Sequence, residues 1–368
     1  MTANLVFPAI LVALIVAISF MFALRPLALR VGLVDKPGGR KRHAGHIPVI
    51  GGIAIFAGTF AGILLVETNP SAYLIAFVAC ALLLIIGVID DALALPASAR
   101  ITAQVAATLI MIYGAGLQLA DIGNPFGTGV ISMGNFTLIF TLLVTVTMVN
   151  AYNMVDGIDG LAGSLALIAL LSVASVASTS NVYGSAALVT AAAVVGFLVF
   201  NFPVVWNRSV RTFMGDAGST LLGFVIVWLT LGIAQGDARS ISPVACLWFA
   251  AIPIFDCLTC FVQRLIKRKS PFSPGRDHFH HRLARGGFGV RQILGIMTGL
   301  QIIYALVGLA GNYYGVPDYI LFFAWSVVGL SQRLIIRKIA RSHRLYRWSQ
   351  PHPRKLLEKS ERPPIDAS

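Results

Sequence analysis

Charge is what this chain has least of. Only 12% of its 368 residues are Asp, Glu, Lys or Arg, against about 25% in a soluble globular domain. So little charge cannot cover a soluble surface of this size. With 57% hydrophobic residues, disorder is excluded as well. Cysteine is scarce: Cys80, Cys246, Cys257 and Cys260 all fall in apolar runs, which excludes a disulfide framework. Cys257 and Cys260 form a CxxC, but no βαβ pattern surrounds them. Helix packing is their expected role, rather than redox chemistry or zinc. Basic residues are missing before Arg25. A cleavable signal opens with a positive segment, so the first apolar run is expected to remain as a span. Internal repeats, low-complexity blocks and a soluble domain are also lacking.

Apolar runs are what the chain does have. Eleven occur, at residues 5–24, 49–66, 71–89, 101–117, 136–149, 161–177, 185–200, 218–234, 243–262, 293–310 and 319–336. Most approach the length of about 20 residues that a helix needs to cross about 30 Å of hydrocarbon. Threading them alternately places 27 of the 28 Lys and Arg on one side and leaves only Arg239 on the other. The positive-inside rule then puts the N-terminus outside and the C-terminus inside. The same rule explains the net charge of +13 without nucleic acid. The expected fold is an all-α polytopic membrane protein with about eleven transmembrane helices. Residues 1–336 form the transmembrane domain. Residues 337–368 form a basic tail lying on anionic headgroups. Gly58-x-x-x-Gly62 and Gly295-x-x-x-Gly299 permit close helix approach, favouring packing within the bundle over a homodimer.

Six of the acids need explaining, because carboxylates in or near a membrane are costly. Asp90 and Asp91 end the third run, Asp156 and Asp159 open the sixth, Asp216 precedes the eighth, and Asp256 lies inside the ninth. Five of them fall at inner helix ends, in three separate clusters. Adjacent Asp90 and Asp91 repel unless a cation binds, and hard oxygen ligands suit Mg²⁺ shared with substrate phosphates. Asn153, Asp156 and Asp159 are spaced i, i+3, i+6, which on a helix would place them on one face. Gly157 and Gly160 would let a bulky ligand reach the backbone. Asp216 lies between glycines at a helix entry, as either an N-cap or a metal ligand.

Two inner loops are basic instead. One carries Arg276, His278, His280, His281 and Arg282; the other carries Lys41, Arg42 and His43 beside Gly51 and Gly52. Arginine neighbours disfavour a metal there and favour phosphate. Carboxylates for a divalent metal and basic loops for phosphates, on one face of a bilayer, suit an enzyme that joins a soluble diphosphate to a lipid phosphate. The competing class is an ion- or proton-coupled transporter. Such sites usually lie near the midplane between repeats, and neither feature is present.

Asp90-Asp91, NMVDGIDGL (153–161), FMGDAGS (213–219) and SPFSPGRDHFHH (270–281) occur in this order. Together they resemble the polyprenyl-phosphate N-acetylhexosamine-1-phosphate transferase superfamily, glycosyltransferase family 4. RKRHAGHIPVIGG (40–52) is similar to the family's first cytoplasmic loop. The resemblance extends to about residue 336. Within the superfamily it points to the bacterial undecaprenyl-phosphate N-acetylglucosamine-1-phosphate transferases, because Phe279 separates His278 from His280-His281.

The resemblance implies a bacterial inner-membrane enzyme, N-terminus periplasmic and C-terminus cytoplasmic, with its active site on the cytoplasmic face. It implies Asn153 and Asp216 as ligands of Mg²⁺ (or Mn²⁺), and Asp90, Asp91, Asp156 and Asp159 as catalytic acids. Arg276, His278, His280 and His281 would bind a UDP-N-acetylhexosamine, and Lys41 and His43 the phosphate of undecaprenyl phosphate.

Overall fold

The computed structural model describes residues 5–35, 45–66, 71–177, 181–203, 211–236, 239–268 and 277–349. Helices α1 (Val6–Val31), α2 (Gly51–Val66), α3 (Ser71–Leu93), α4 (Ala97–Ala115), α5 (Thr137–Val155), α6 (Leu161–Val176), α7 (Val182–Asn201) and α8 (Gly215–Ala234) follow one another. Then come α9 (Pro243–Cys246), α10 (Ala251–Ile266), α11 (Phe279–Arg285), α12 (Val290–Tyr313) and α13 (Asp318–Ser349). The only sheet among the described residues is a two-residue hairpin, β1 (Val34–Asp35) against β2 (Ile47–Pro48). Among those residues, eight helical segments are long and apolar enough to cross a membrane, and α2 and α6 are shorter apolar helices. The protein is an all-α membrane protein, the fold in which backbone groups satisfy one another without water.

α8 is the axis of the bundle. In its most apolar stretch 83% of residues are buried, against 17% in α13, so α8 is central and α13 peripheral. Phe7, Phe22, Leu74, Leu143 and Leu330 point outward, as suits a surface solvated by lipid. Helices α2, α3 and α5 all pack on α8, and glycine makes the approach possible. A Cβ on Gly52 would lie 2.4 Å from the Gly218 nitrogen, one on Gly87 2.3 Å from the Ala217 Cα, and one on Gly223 2.7 Å from the Val149 Cα. The first of the two GxxxG motifs also packs inside the molecule, since Cβ atoms at Gly58 and Gly62 would strike α1 carbonyls at 2.5 and 2.8 Å. The second does not: nothing lies within 4 Å of Cβ positions at Gly295 and Gly299. Among the described residues, no other helix closely covers the face of α12 on which they sit.

The run 243–262 is broken rather than continuous. A 3-10 turn, Leu247–Ala250, separates α9 from α10, and Pro253 contributes no amide to the first turn of α10. Backbone groups freed inside an apolar bundle need other partners. Gln301 of α12, with no exposed surface, supplies them. Its Nε2 donates to the carbonyls of Trp248 (3.0 Å) and Phe249 (2.9 Å), and its Oε1 accepts from the Ile252 amide at 2.9 Å. Gln301→Leu strands three buried backbone groups. It should lower stability by about 2–4 kcal/mol, read as a fall in the thermal unfolding midpoint in detergent; an unchanged midpoint would refute the role.

α13 does not stop at residue 336. It continues as helix to Ser349, and His343 accepts this stretch into the bundle: its Nδ1 lies 3.1 Å from the Gly286 carbonyl oxygen and its ring stacks on Phe288 at 3.8 Å. Residues 337–349 of the expected tail are therefore a helical extension of α13, which packs beside α11. Residues 350–368 lie outside the described residues.

Candidate active site

The C-terminal ends of α3 and α5 and the N-terminal end of α8 meet at one end of the bundle. They enclose a cavity of about 590 Å³ lined by Asp35, Asp91, Asp156, Gly157, Asp159, Asn201, Arg211, Gly215 and Asp216, among others. Five carboxylates from four separate stretches of chain thus face one space. Arg211 is the cation among these lining residues.

Asp90 and Asp91 are neighbours in sequence but serve different partners. Asp91 turns to α8. Its Oδ1 accepts from the Asp216 amide at 2.8 Å and its Oδ2 from the Ala217 amide at 3.3 Å, a carboxylate on the positive end of a helix. Gly215, at φ +74°, gives the tight entry, and a Cβ there would lie 2.4 Å from Asp91 Oδ2. Asp90 is not on the cavity wall but stands beside it, where its side chain also meets Asp216. Its Oδ1 accepts from the Leu95 amide at 2.7 Å, and its Oδ2 pairs with Arg100 at 3.2 Å. Arg100 also reaches Asp216 Oδ2 at 3.6 Å, so it ties the Asp90 side of the site to the α8 side.

Asn153 lies in the last turn of α5 and donates to Asp216 Oδ1 at 2.8 Å and Ser219 Oγ at 3.1 Å. The i, i+3, i+6 helical face expected of Asn153, Asp156 and Asp159 does not form. α5 ends at Val155, and residues 156–160 make a turn in which Gly160 takes φ +77°. Helix geometry is lost there because that backbone region favours glycine. Asp156 and Asp159 still reach the cavity from the turn. Asp159 is ion-paired with Arg211, whose guanidinium lies 5.0 Å from the Phe213 ring centroid. Asn201 ties the turn down, accepting from the Gly160 amide at 2.7 Å and donating to the Thr212 carbonyl at 2.8 Å. Asp156 is pushed up to about 8, chiefly by removal from water, with the charges of Asp216, Asp91 and Asp159 adding. Such mutual repulsion is what a bound cation relieves.

The histidine segment packs against this turn. A Cβ on Gly157 would lie 2.3 Å from His280 Nε2, so the space bared by this glycine is occupied by an imidazole, not left for a ligand. His280 is 2% exposed, and neither ring nitrogen has a hydrogen-bond partner among the described residues. Burial, with smaller contributions from His281 and His278, pushes it down to about 3 against the opposing pull of Asp256. His280 is therefore a neutral imidazole at pH 7, able to donate a hydrogen bond from one ring nitrogen but carrying no positive charge. His278 bonds Asp256 instead of facing the cavity, and the His281 ring lies 4.2 Å from that of His280. Lys41, His43 and Arg276 lie outside the described residues. Gly157→Ala forces His280 aside and should reduce turnover by about tenfold or more, measured with the expression level and unfolding midpoint held as controls; full activity would sink this contact.

Sequence reasoning passed over Asp35, Arg100, Asn201, Arg211 and Ser219, none of which stands in an acidic or histidine cluster. Asp256 was visible as an acid within an apolar run, but its partner lies 22 residues on. The donor set here is hard oxygen: the carboxylates of Asp91, Asp156 and Asp216 and the amide of Asn153. That set fits Mg²⁺ better than a soft metal.

Acidic turns, glycine entries and histidines in this order and geometry can be set against known proteins. The family model described as "Glycosyl transferase family 4" matches residues 73–234, which include Asp91, Asn153, Asp156, Asp159 and Asp216. A Yersinia pestis protein is 34% identical over 310 residues, covering 83% of this chain and 84% of its own length. The chain belongs to glycosyl transferase family 4. An Escherichia coli K12 member is 38% identical over 311 residues (82% of this chain, 83% of its own). A Pasteurella multocida member is 35% identical over 347 residues (92% and 95%). All three are named undecaprenyl-phosphate alpha-N-acetylglucosaminyl 1-phosphate transferase. Nothing in these family relatives supports the alternative expectation of a transporter.

Proposed function

We propose that the protein transfers N-acetylglucosamine 1-phosphate from its UDP-sugar to undecaprenyl phosphate, releases UMP, and so starts a cell-envelope polysaccharide such as O-antigen. The observation that carries this reading is the convergence of Asp91, Asp156, Asp159 and Asp216 on one cavity of about 590 Å³ at one end of an apolar bundle, with Asn153 hydrogen-bonded to Asp216. The relatives' names supply the substrates. The 27 basic residues on one side support the reading of a bacterial inner-membrane protein with eleven crossings, its N-terminus periplasmic and this end of the bundle cytoplasmic.

In this reading a lipid-phosphate oxygen attacks the β-phosphorus of the UDP-sugar. The bond from that phosphorus to the bridging oxygen breaks, and the electron pair leaves on UMP. A phosphate monoester has a second pKa of about 6, so the acceptor is mostly dianionic at neutral pH and no strong base is needed. Arg211 offers the cavity its own positive charge, and Asp159 holds the guanidinium in place. Asp91, fixed on the α8 amides, sets the position of Asp216, and Asn153 orients the Asp216 carboxylate from the other side. Mg²⁺ held by Asp216 and Asn153, with Asp91 and Asp156 in reach, would supply charge neutralisation for the diphosphate.

Purified protein given UDP-N-acetylglucosamine, undecaprenyl phosphate and Mg²⁺ should release UMP. Omitting the lipid or adding EDTA should stop it, and lipid-independent release would overturn the assignment. Asp156 adds a pH dependence. Below about 8 it holds a proton that a cation must displace, so apparent Mg²⁺ affinity should rise with pH between about 6 and 8. The slope approaches tenfold per unit if one proton leaves. Calorimetry in buffers of differing ionisation enthalpy reads that proton, and a flat profile would exclude Asp156 from the cation site.

A further inference from the structure

Asp256 has no exposed surface at all, yet it is not on the wall of the acidic cavity. It lies in α10, and both its oxygens are engaged from the far side of residues 269–276. Oδ1 accepts from the Phe279 amide at 2.8 Å, and Oδ2 lies 3.1 Å from His278 Nδ1. A carboxylate only accepts, so the His278 proton must sit on Nδ1 and Nε2 is left as the imidazole's other pole.

The contact recurs along one face of α10. Cys260, one turn on, puts its sulfur 3.4 Å from the same Nδ1. Gln263, close to another turn on, accepts from Arg282 Nη2 at 2.7 Å. Residues 256, 260 and 263 form a clip for 278, 279 and 282. The clipped helix, α11, has seven residues, too few to hold its shape alone. What the clip delivers is His280, seated on Gly157 beside Asp156 with both ring nitrogens unpartnered among the described residues.

We propose that Asp256 is a positioning residue for the donor nucleotide: by fixing His278 and the first turn of α11, it sets the histidine segment against the acidic cavity. The inference rests on the reaction assigned above and adds a residue to it. Asp256→Asn keeps the size of the side chain and an acceptor for the Phe279 amide, but loses the charge that fixes the His278 tautomer. In steady-state UMP release by the full-length protein, the variant should raise KM for UDP-N-acetylglucosamine about tenfold or more. KM for undecaprenyl phosphate should stay within about twofold. His278→Gln should show the same donor-selective rise, and the double variant should be no worse than His278→Gln alone, because Asp256 acts through His278.

Equal losses toward both substrates, no loss, or additive losses would overturn the proposal. Should Asp256→Asn fail to fold, His278→Gln still decides through its KM split. Stoichiometric zinc in the purified protein, lost on Cys260→Ser, would also overturn it, because a metal-bound Nδ1 cannot donate to Asp256. UDP binding by calorimetry separates the two levels. Wild-type protein that binds UDP without turnover condemns the assigned reaction, whereas equal UDP binding by wild type and Asp256→Asn condemns the clip.

Discussion

Asp216→Asn should lower UMP release by about 10²–10³-fold, the scale of removing one electrostatic stabiliser from an enzyme site, while leaving the protein folded. The side chain is partly exposed to the cavity, at 38%, so its charge is available to a ligand. The helix beneath it does not depend on that charge, because the first amides of α8 are capped by Asp91 and not by Asp216. Asparagine keeps an oxygen for Asn153 to donate to and differs in size by almost nothing. What disappears is the negative charge that would face a divalent cation, and with it one of the two carboxylates that hold Arg100, which spans Asp90 and Asp216. The signature should therefore be a large fall in kcat and weaker Mg²⁺ dependence, with an unfolding midpoint within a degree or two of the parent. An Asp216→Asn protein that turns over at the parental rate would remove the carboxylate from the chemistry.

How much of this site could be read from the sequence depended on the kind of signal. Carboxylates at the inner ends of apolar runs are conspicuous because little else in such a chain is charged. Counting crossings puts the ends of the third and fifth runs and the start of the eighth on one side, and Asp91, Asn153 and Asp216 do meet there. Spacing was a weaker guide. Asn153, Asp156 and Asp159 fit a helical face on paper, but Gly157 and Gly160 favour a turn, and two of the three reach the cavity from it. Partners chosen by tertiary packing left no local trace. Nothing in the sequence near Asp90-Asp91 says that one carboxylate caps α8 while the other holds Arg100. Nor does anything near Asp256 announce His278. The break at 247–250 was hidden for the opposite reason: Leu247, Trp248, Phe249 and Ala250 are as apolar as the helices around them, and the residue that permits the break is Gln301, beyond α10 and α11 in the chain.

Gly87→Ala is the second large effect, and it neither adds nor removes a charge. A Cβ at Gly87 would stand 2.3 Å from the Ala217 Cα and 2.7 Å from its nitrogen, both backbone atoms that no rotamer change can move. α3 must then shift off α8 by on the order of 1 Å, and overpacking of this kind costs about 1–3 kcal/mol. The consequence for activity is larger than for stability. Gly87 precedes Asp91 by four residues, one helical turn on the same face of α3, so the displacement is passed to the carboxylate that bonds the Asp216 and Ala217 amides. Misplacing a reacting constellation by about 1 Å costs roughly 10²-fold in rate. The variant should therefore lose turnover out of proportion to its fall in unfolding midpoint. Gly295→Ala, with nothing within 4 Å of its Cβ position, is the matched control and should alter neither. Parental turnover in Gly87→Ala would mean that the α3–α8 contact does not set the position of Asp91, and that the site tolerates a looser bundle than its glycines imply.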